Sequence, residues 1–147
     1  MSLAMTVAER EAFLADVHVG VISIAEPGRG PMTVPIWYAY DPGGEVRIWT
    51  GATAHKVALI RQAGRFSLCV QQETPPYKYV SVEGPVVAVE PIQLERDLRP
   101  LVYRYLGQME GERYLAQIGG ASAGEGDVLV RMRPERWRTS DFSKATV

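Results

Sequence analysis

Cysteine is almost missing from this chain of 147 residues: Cys69 stands alone, which excludes an internal disulfide and fits a reducing, cytoplasmic compartment. Histidine is nearly as scarce, with only His18 and His55. No His or Cys pair falls at zinc-ligand spacing, so no metal centre is expected. There is no Gly-x-Ser-x-Gly elbow either, and the nucleophile–base pairing that a hydrolase needs is not visible. Neither sign of charge is in excess. Sixteen Lys and Arg face seventeen Asp and Glu, for a net charge of −1, which removes the basic footprint of a nucleic-acid or membrane-surface partner. Long apolar runs are missing too, and none is sufficient to span a bilayer.

What remains is enough for one packed domain: 46% of residues are apolar. Residues 1–147 are read as a single unit, with 1–5 a leader outside the fold and 119–127 a flexible, glycine-rich loop. Thr6-Val-Ala-Glu9 has the capping-box pattern and opens a short helix that ends near Asp16. The period then changes to two. Runs at 17–25, 32–40 and 46–50, separated by Pro/Gly turn clusters, read as antiparallel hairpins. A helix over 54–63 is stopped by Gly64, and strands follow at 65–72 and 78–91, the latter bent at Gly84-Pro85. Leu94 to Leu106 has helical spacing up to Gly107, a second helix covers 112–117, and 128–133 is a last strand. Short antiparallel strands without alternating βαβ units predict a mainly β fold, a six- to seven-stranded antiparallel barrel with peripheral helices.

One stretch carries the most chemistry, Ile48-Trp-Thr-Gly-Ala-Thr-Ala-His-Lys56. A strand ends in small residues and a helix opens on a cation, with Thr53 as the expected cap. Free backbone N–H groups, a positive dipole end, hydroxyls and a lysine together suit a phosphate. Read alone, Lys56 is more simply a solvated surface charge. Trp37, Trp49, Tyr77 and Tyr79 flank this stretch in sequence order and serve either core packing or the wall of a planar-ring site. Arg131, Arg133, Arg136 and Arg138 offer guanidinium groups to a phosphate or carboxylate, or form a solvated face. His18 reads as a structural histidine and Cys69 as a small buried hydrophobe.

Order and spacing of Thr33-Val-Pro-Ile-Trp-Tyr38, Trp49-Thr50, His55-Lys56, Arg65-Phe-Ser-Leu68 and Tyr77-Lys-Tyr-Val-Ser-Val-Glu-Gly84 resemble the pyridoxamine 5′-phosphate oxidase-like superfamily of FMN-binding split barrels. The likeness runs from about Val17 to Val89, and more loosely to Trp137. The resemblance implies a split barrel whose cofactor, FMN or coenzyme F420, lies in a groove between the subunits of a homodimer. It further implies that Lys56 and His55 hold phosphate, that Thr50 and the Gly51 backbone assist beside Trp49, that Val34, Pro35 and Ile36 line the ring, and that Tyr79 is a cofactor contact or proton source. His55 stands where the oxidase usually carries arginine, and Arg133-Pro-Glu-Arg-Trp137 lacks the oxidase's substrate signature. These departures point to the small flavin- and F420-dependent reductase branch, with hydride transfer to a small organic substrate. No side chain is assigned as catalytic. The alternative on the same fold is a non-catalytic flavin or haem carrier or sensor.

Overall fold

A computed structural model describes residues 2–145. The helix α1, Val7–Ala15, opens as its sequence dictates: the Thr6 hydroxyl accepts from Glu9 N–H while the Glu9 carboxylate accepts from Thr6 N–H. Strands β1 (Gly20–Ile24), β2 (Met32–Ile36), β3 (Tyr38–Ala39) and β4 (Val46–Gly51) follow, then α2 (His55–Ala63), β5 (Arg65–Gln72) and β6 (Lys78–Pro91). A π-helical turn, Leu94–Leu98, leads into α3 (Arg99–Gln117), and β7 (Asp127–Met132) and β8 (Arg136–Asp141) complete the fold. α3 is two helical pieces, because Gly107 at φ 76° breaks the run where the sequence places a stop.

All pairings are antiparallel. They run β2-β1-β5-β6-β7-β4-β3, with β8 added on β6. The path's two ends, β2 and β3, are separated in the chain by Trp37 alone, so the sheet curls back on itself. This is a mainly β split barrel with peripheral helices, carrying eight strands where six to seven are expected. The interior is apolar and fully excluded from water at Ile22, Ile48, Leu68, Val80, Val82 and Val130. Phe13 and Leu14 of α1 and Val57, Leu59 and Ile60 of α2 belong to the same core. A second cluster, Leu98, Val102, Leu115 and Ala123, packs α3 against Trp37 and Trp49.

β6 is long because it changes partners, pairing with β5 and β8 along its first half and β7 along its second, with the register shift between Val86 and Ala88. The predicted bend lies just before it. There Gly84 is required by approach rather than torsion: a Cβ would sit 1.8 Å from the Arg133 carbonyl oxygen.

Four expectations are corrected. Ala54, not Thr53, is the residue before α2, and no side chain caps that helix. The first residues, set outside the fold, pack on it: Leu3 O accepts from Asp141 N–H at 2.8 Å, Met5 N–H donates to the Thr139 hydroxyl, and Met5 is buried. The 119–127 connection is built from successive turns around a buried Ala123, with bonds from Ser122 N–H to Gly119 O and Asp127 N–H to Gly124 O. Cys69 is on the exposed outer face of β5, between Val21 and Ser81 in the ladder.

Candidate functional site

Alternation along β4 sends its side chains to opposite faces. Val46, Ile48 and Thr50 face the barrel interior, while Arg47, Trp49 and Gly51 face α3. Trp49 is fixed by its indole N–H, which donates to Asp127 Oδ2 at 2.8 Å. Trp37 occupies the break between β2 and β3. It lies on Tyr105, ring centroids 4.7 Å apart and planes 5° apart, and meets Tyr114 at 5.9 Å. The Tyr105 hydroxyl takes over the backbone pairing at that break, accepting from Tyr38 N–H at 3.0 Å and donating to His18 O at 2.6 Å.

These side chains form a groove of about 340 Å³ lined by Val19, Pro35, Ile36, Trp37, Trp49 and Tyr114. No charged side chain lines it. That is the composition of a site for a flat, largely apolar ring. Pro35, Ile36 and Trp49 are thus brought together as the sequence anticipates, and Trp37 joins them as a wall. Val34 does not line the groove: it shares a face of β2 with Ile36, opposite to that of Pro35, and packs against the barrel core, to which Ile36 at the strand's end also belongs. Val19 and Tyr114 were not anticipated. Val19 precedes β1 and Tyr114 arrives through the second piece of α3, so only tertiary structure places them.

Beyond Trp49, Gly51 O accepts from Ala54 N–H and α2 begins at His55. The first turn of α2 carries neither a side-chain cap nor an acidic residue. Its amide ends therefore keep their partial positive charge, next to the half-buried Lys56. His55 is exposed and its Nε2 is 3.1 Å from Glu26 Oε1, from the loop between β1 and β2. Thr50 is buried on the interior face of β4, so its backbone rather than its hydroxyl is on the groove side. Tyr79 is not in the groove. It is exposed on the outer face of β6, opposite Gln71, with β1 and β5 between its strand and β2.

The other candidates separate. Arg131 pairs with Glu45 at 2.7 Å on the α3 side, whereas Arg136 and Arg138 are exposed on β8, opposite Glu83 and Ser81. They form no common anion site. His18 is structural: Nε2–H donates to Phe13 O at 3.0 Å, its ring lies 4.5 Å from that of Phe13, and burial depresses its pKa.

A family model described as pyridoxamine 5′-phosphate oxidase matches residues 6–141. The chain belongs to the pyridoxamine 5′-phosphate oxidase family. Among solved structures it resembles an F420 reductase (21% identity, TM-score 0.71, covering 87% of this chain and 94% of that one). A conserved hypothetical protein from Mycobacterium tuberculosis is similar (23%, TM-score 0.74, 96% and 88%). So is a FAD-binding protein from Mesorhizobium loti (20%, TM-score 0.65, 92% and 94%). At these identities the likenesses establish the fold alone. No curated protein matches. Among the described residues no helix is long and apolar enough to cross a membrane.

Proposed function

We propose that this family member is a flavin- or deazaflavin-dependent oxidoreductase that works as a homodimer, using FMN or coenzyme F420 and a small organic substrate. One observation carries the reading: an uncharged aromatic groove and an uncapped helix start bearing Lys56 are joined by the few residues between Trp49 and His55. A tricyclic ring with a phosphate needs both, an apolar slot for the ring and positive charge for the anion. When bound, such a group supplies hydride transfer itself, and the protein orients and excludes water.

In this reading Pro35, Ile36 and Trp49 contact the ring, Val34 supports their strand from the core side, and Trp37 with Tyr114 bounds the space for substrate. Lys56 neutralises phosphate with the α2 amides and the Thr50–Gly51 backbone. His55 adds to it when it leaves Glu26 for the anion. Tyr79 enters through a second copy. Its strand is three ladder steps from β2, about 14 Å at ordinary strand spacing, too far for the groove of its own chain. The outer sheet face exposes Val19, Val21, Tyr77 and Tyr79, an apolar surface suited to a self-complementary contact.

The experiment is a fluorescence titration with FMN and with F420, followed by oxidation of the reduced complex by an added acceptor. Saturable binding with turnover supports the oxidoreductase. Binding without turnover assigns a carrier or sensor instead, and binding of neither overturns both.

A further inference from the structure

A second concavity lies under α3 at the other end of the β3–β4 face, about 260 Å³ in volume. Unlike the aromatic groove it is lined by charge. Arg47 from β4, Arg96 from the π-helical turn and Arg104 from α3 surround it, with Asp41 and Asp97. The five groups are not evenly spent. Arg96 is committed to Asp97 and Glu90, at 2.8 and 3.4 Å. Arg47 gives one nitrogen to Asp41, whose side chain is 82% exposed, a pair that water screens. Across the β4–β7 ladder it faces a like charge, Arg131, whose own charge is met by Glu45. Arg104 donates to two neutral acceptors, Ala15 O at 2.8 Å and Asp16 O at 2.7 Å, and among the described residues no carboxylate pairs with it.

Four buried guanidinium nitrogens lack a hydrogen-bond partner among the described residues, and two of them, Arg47 Nε and Arg104 Nε, belong to side chains lining this one cleft. A buried donor without an acceptor leaves the charge of its guanidinium less fully compensated, and an anion close by would stabilise it. The opposite wall is apolar, from Ala39, Pro100, Leu101 and Leu129. We infer that this cleft binds a small organic carboxylate: its anionic head is taken by the Arg47 guanidinium beside the uncompensated charge of Arg104, and its short apolar body rests on Leu101 and Leu129. Two features favour a carboxylate over a phosphate. Asp41 and Asp97 offset two of the three positive charges, leaving a surplus of one, and a planar guanidinium edge matches a planar acceptor. The cleft adjoins the aromatic groove, since Arg47 and Trp49 are two residues apart on one face of β4, about 7 Å by strand rise. Its ligand is nevertheless independent of the cofactor reading, because none of the residues assigned to the cofactor lines it.

The test is a titration of the wild-type protein with sodium benzoate, followed by NMR through the arginine Nε–Hε signals, with benzyl alcohol and inorganic phosphate as comparison probes. Benzoate is expected to shift the Arg47 and Arg104 signals saturably, benzyl alcohol to leave them in place, and phosphate to bind more weakly than benzoate. Arg47→Gln should lower benzoate affinity by about tenfold or more, the scale for a hydrogen bond to a charged group. Ala39→Phe, which fills the cleft and leaves the arginines, should abolish binding, while Lys56→Ala should not change it. Absence of saturation, equal binding of benzyl alcohol, preference for phosphate, or undiminished binding in folded Arg47→Gln and Ala39→Phe proteins would each overturn the assignment.

Discussion

Trp37 and Tyr105 lie ring on ring at 4.7 Å, and the hydroxyl of the same tyrosine ties Tyr38 N–H, just past the strand break that Trp37 occupies, to His18 O, just ahead of β1. One side chain thus holds the groove wall and the barrel seam. Tyr105→Phe leaves Tyr38 N–H and His18 O without that partner, and should cost about 1–3 kcal/mol in urea unfolding. Tyr105→Leu should cost about 0.5–1.5 kcal/mol more, through loss of the stacked pair. Equal stability of the Phe variant and wild type would show that water replaces the hydroxyl.

Lys56→Ala should weaken binding of FMN or F420 by about 1.5–3 kcal/mol, read by cofactor fluorescence, with folding stability unchanged because Lys56 makes no ion pair among the described residues. An unchanged affinity would remove Lys56 from the phosphate site.

Val21→Glu puts a charge at the centre of the exposed outer face, between Pro35 and Cys69 in the ladder. If the dimer uses this face, light scattering should show the wild type at twice the monomer mass and the variant as a monomer, with cofactor affinity reduced because Tyr79 would no longer be supplied by the partner. A wild-type monomer would sink the shared-groove reading.

Gly84→Ala forces a Cβ against the Arg133 carbonyl and cannot be absorbed by a side-chain rotation, since the three nearest atoms, Arg133 O and C and Glu135 N, are all backbone. Overpacking of this kind costs about 1–3 kcal/mol or more. Thermal unfolding checks it, and a Tm within a degree of wild type would contradict the close approach.

The Glu9 carboxyl is held down at about 2, first by the Lys144 ammonium at 2.6 Å and then by Thr6 N–H. A carboxyl lowered on folding contributes stability that is present above its ordinary pKa of 4.5 and fades as pH falls toward about 2. The stability difference between wild type and Glu9→Gln should accordingly be constant above pH 5 and shrink to nothing near pH 2. A difference that persisted at pH 2 would place its origin in packing rather than charge.

The parts of the fold written in local chemistry were legible: the Thr6 capping box, the Gly64 stop, the Gly107 break and the period-two strands each follow from a few neighbouring residues. What escaped depends on distant partners. β8 carries no strand signal of its own, because Arg136-Trp-Arg-Thr-Ser-Asp141 presents one large apolar residue, and its strand character comes from the ladder with β6. The break at Trp37 is invisible in a run that reads as one strand, because its partner is Tyr105, 67 residues beyond Tyr38. For the site, Pro35, Ile36 and Trp49 line one groove. Thr50 fell on the interior face by simple alternation, a parity that could have been read from Val46 and Ile48. Tyr79 is near the groove residues only in sequence order, which says nothing about the two strands that lie between.

The barrel's seam is a single residue wide. Because β2 ends at Ile36 and β3 begins at Tyr38, there is no spare chain to take up a displacement, so the width of the groove and the closure of the barrel are one mechanical coordinate. Pushing the indole of Trp37 aside to admit a bulkier guest strains the cylinder itself, and a substitution chosen to reshape the groove at this position is also a substitution in the hoop that holds the core shut.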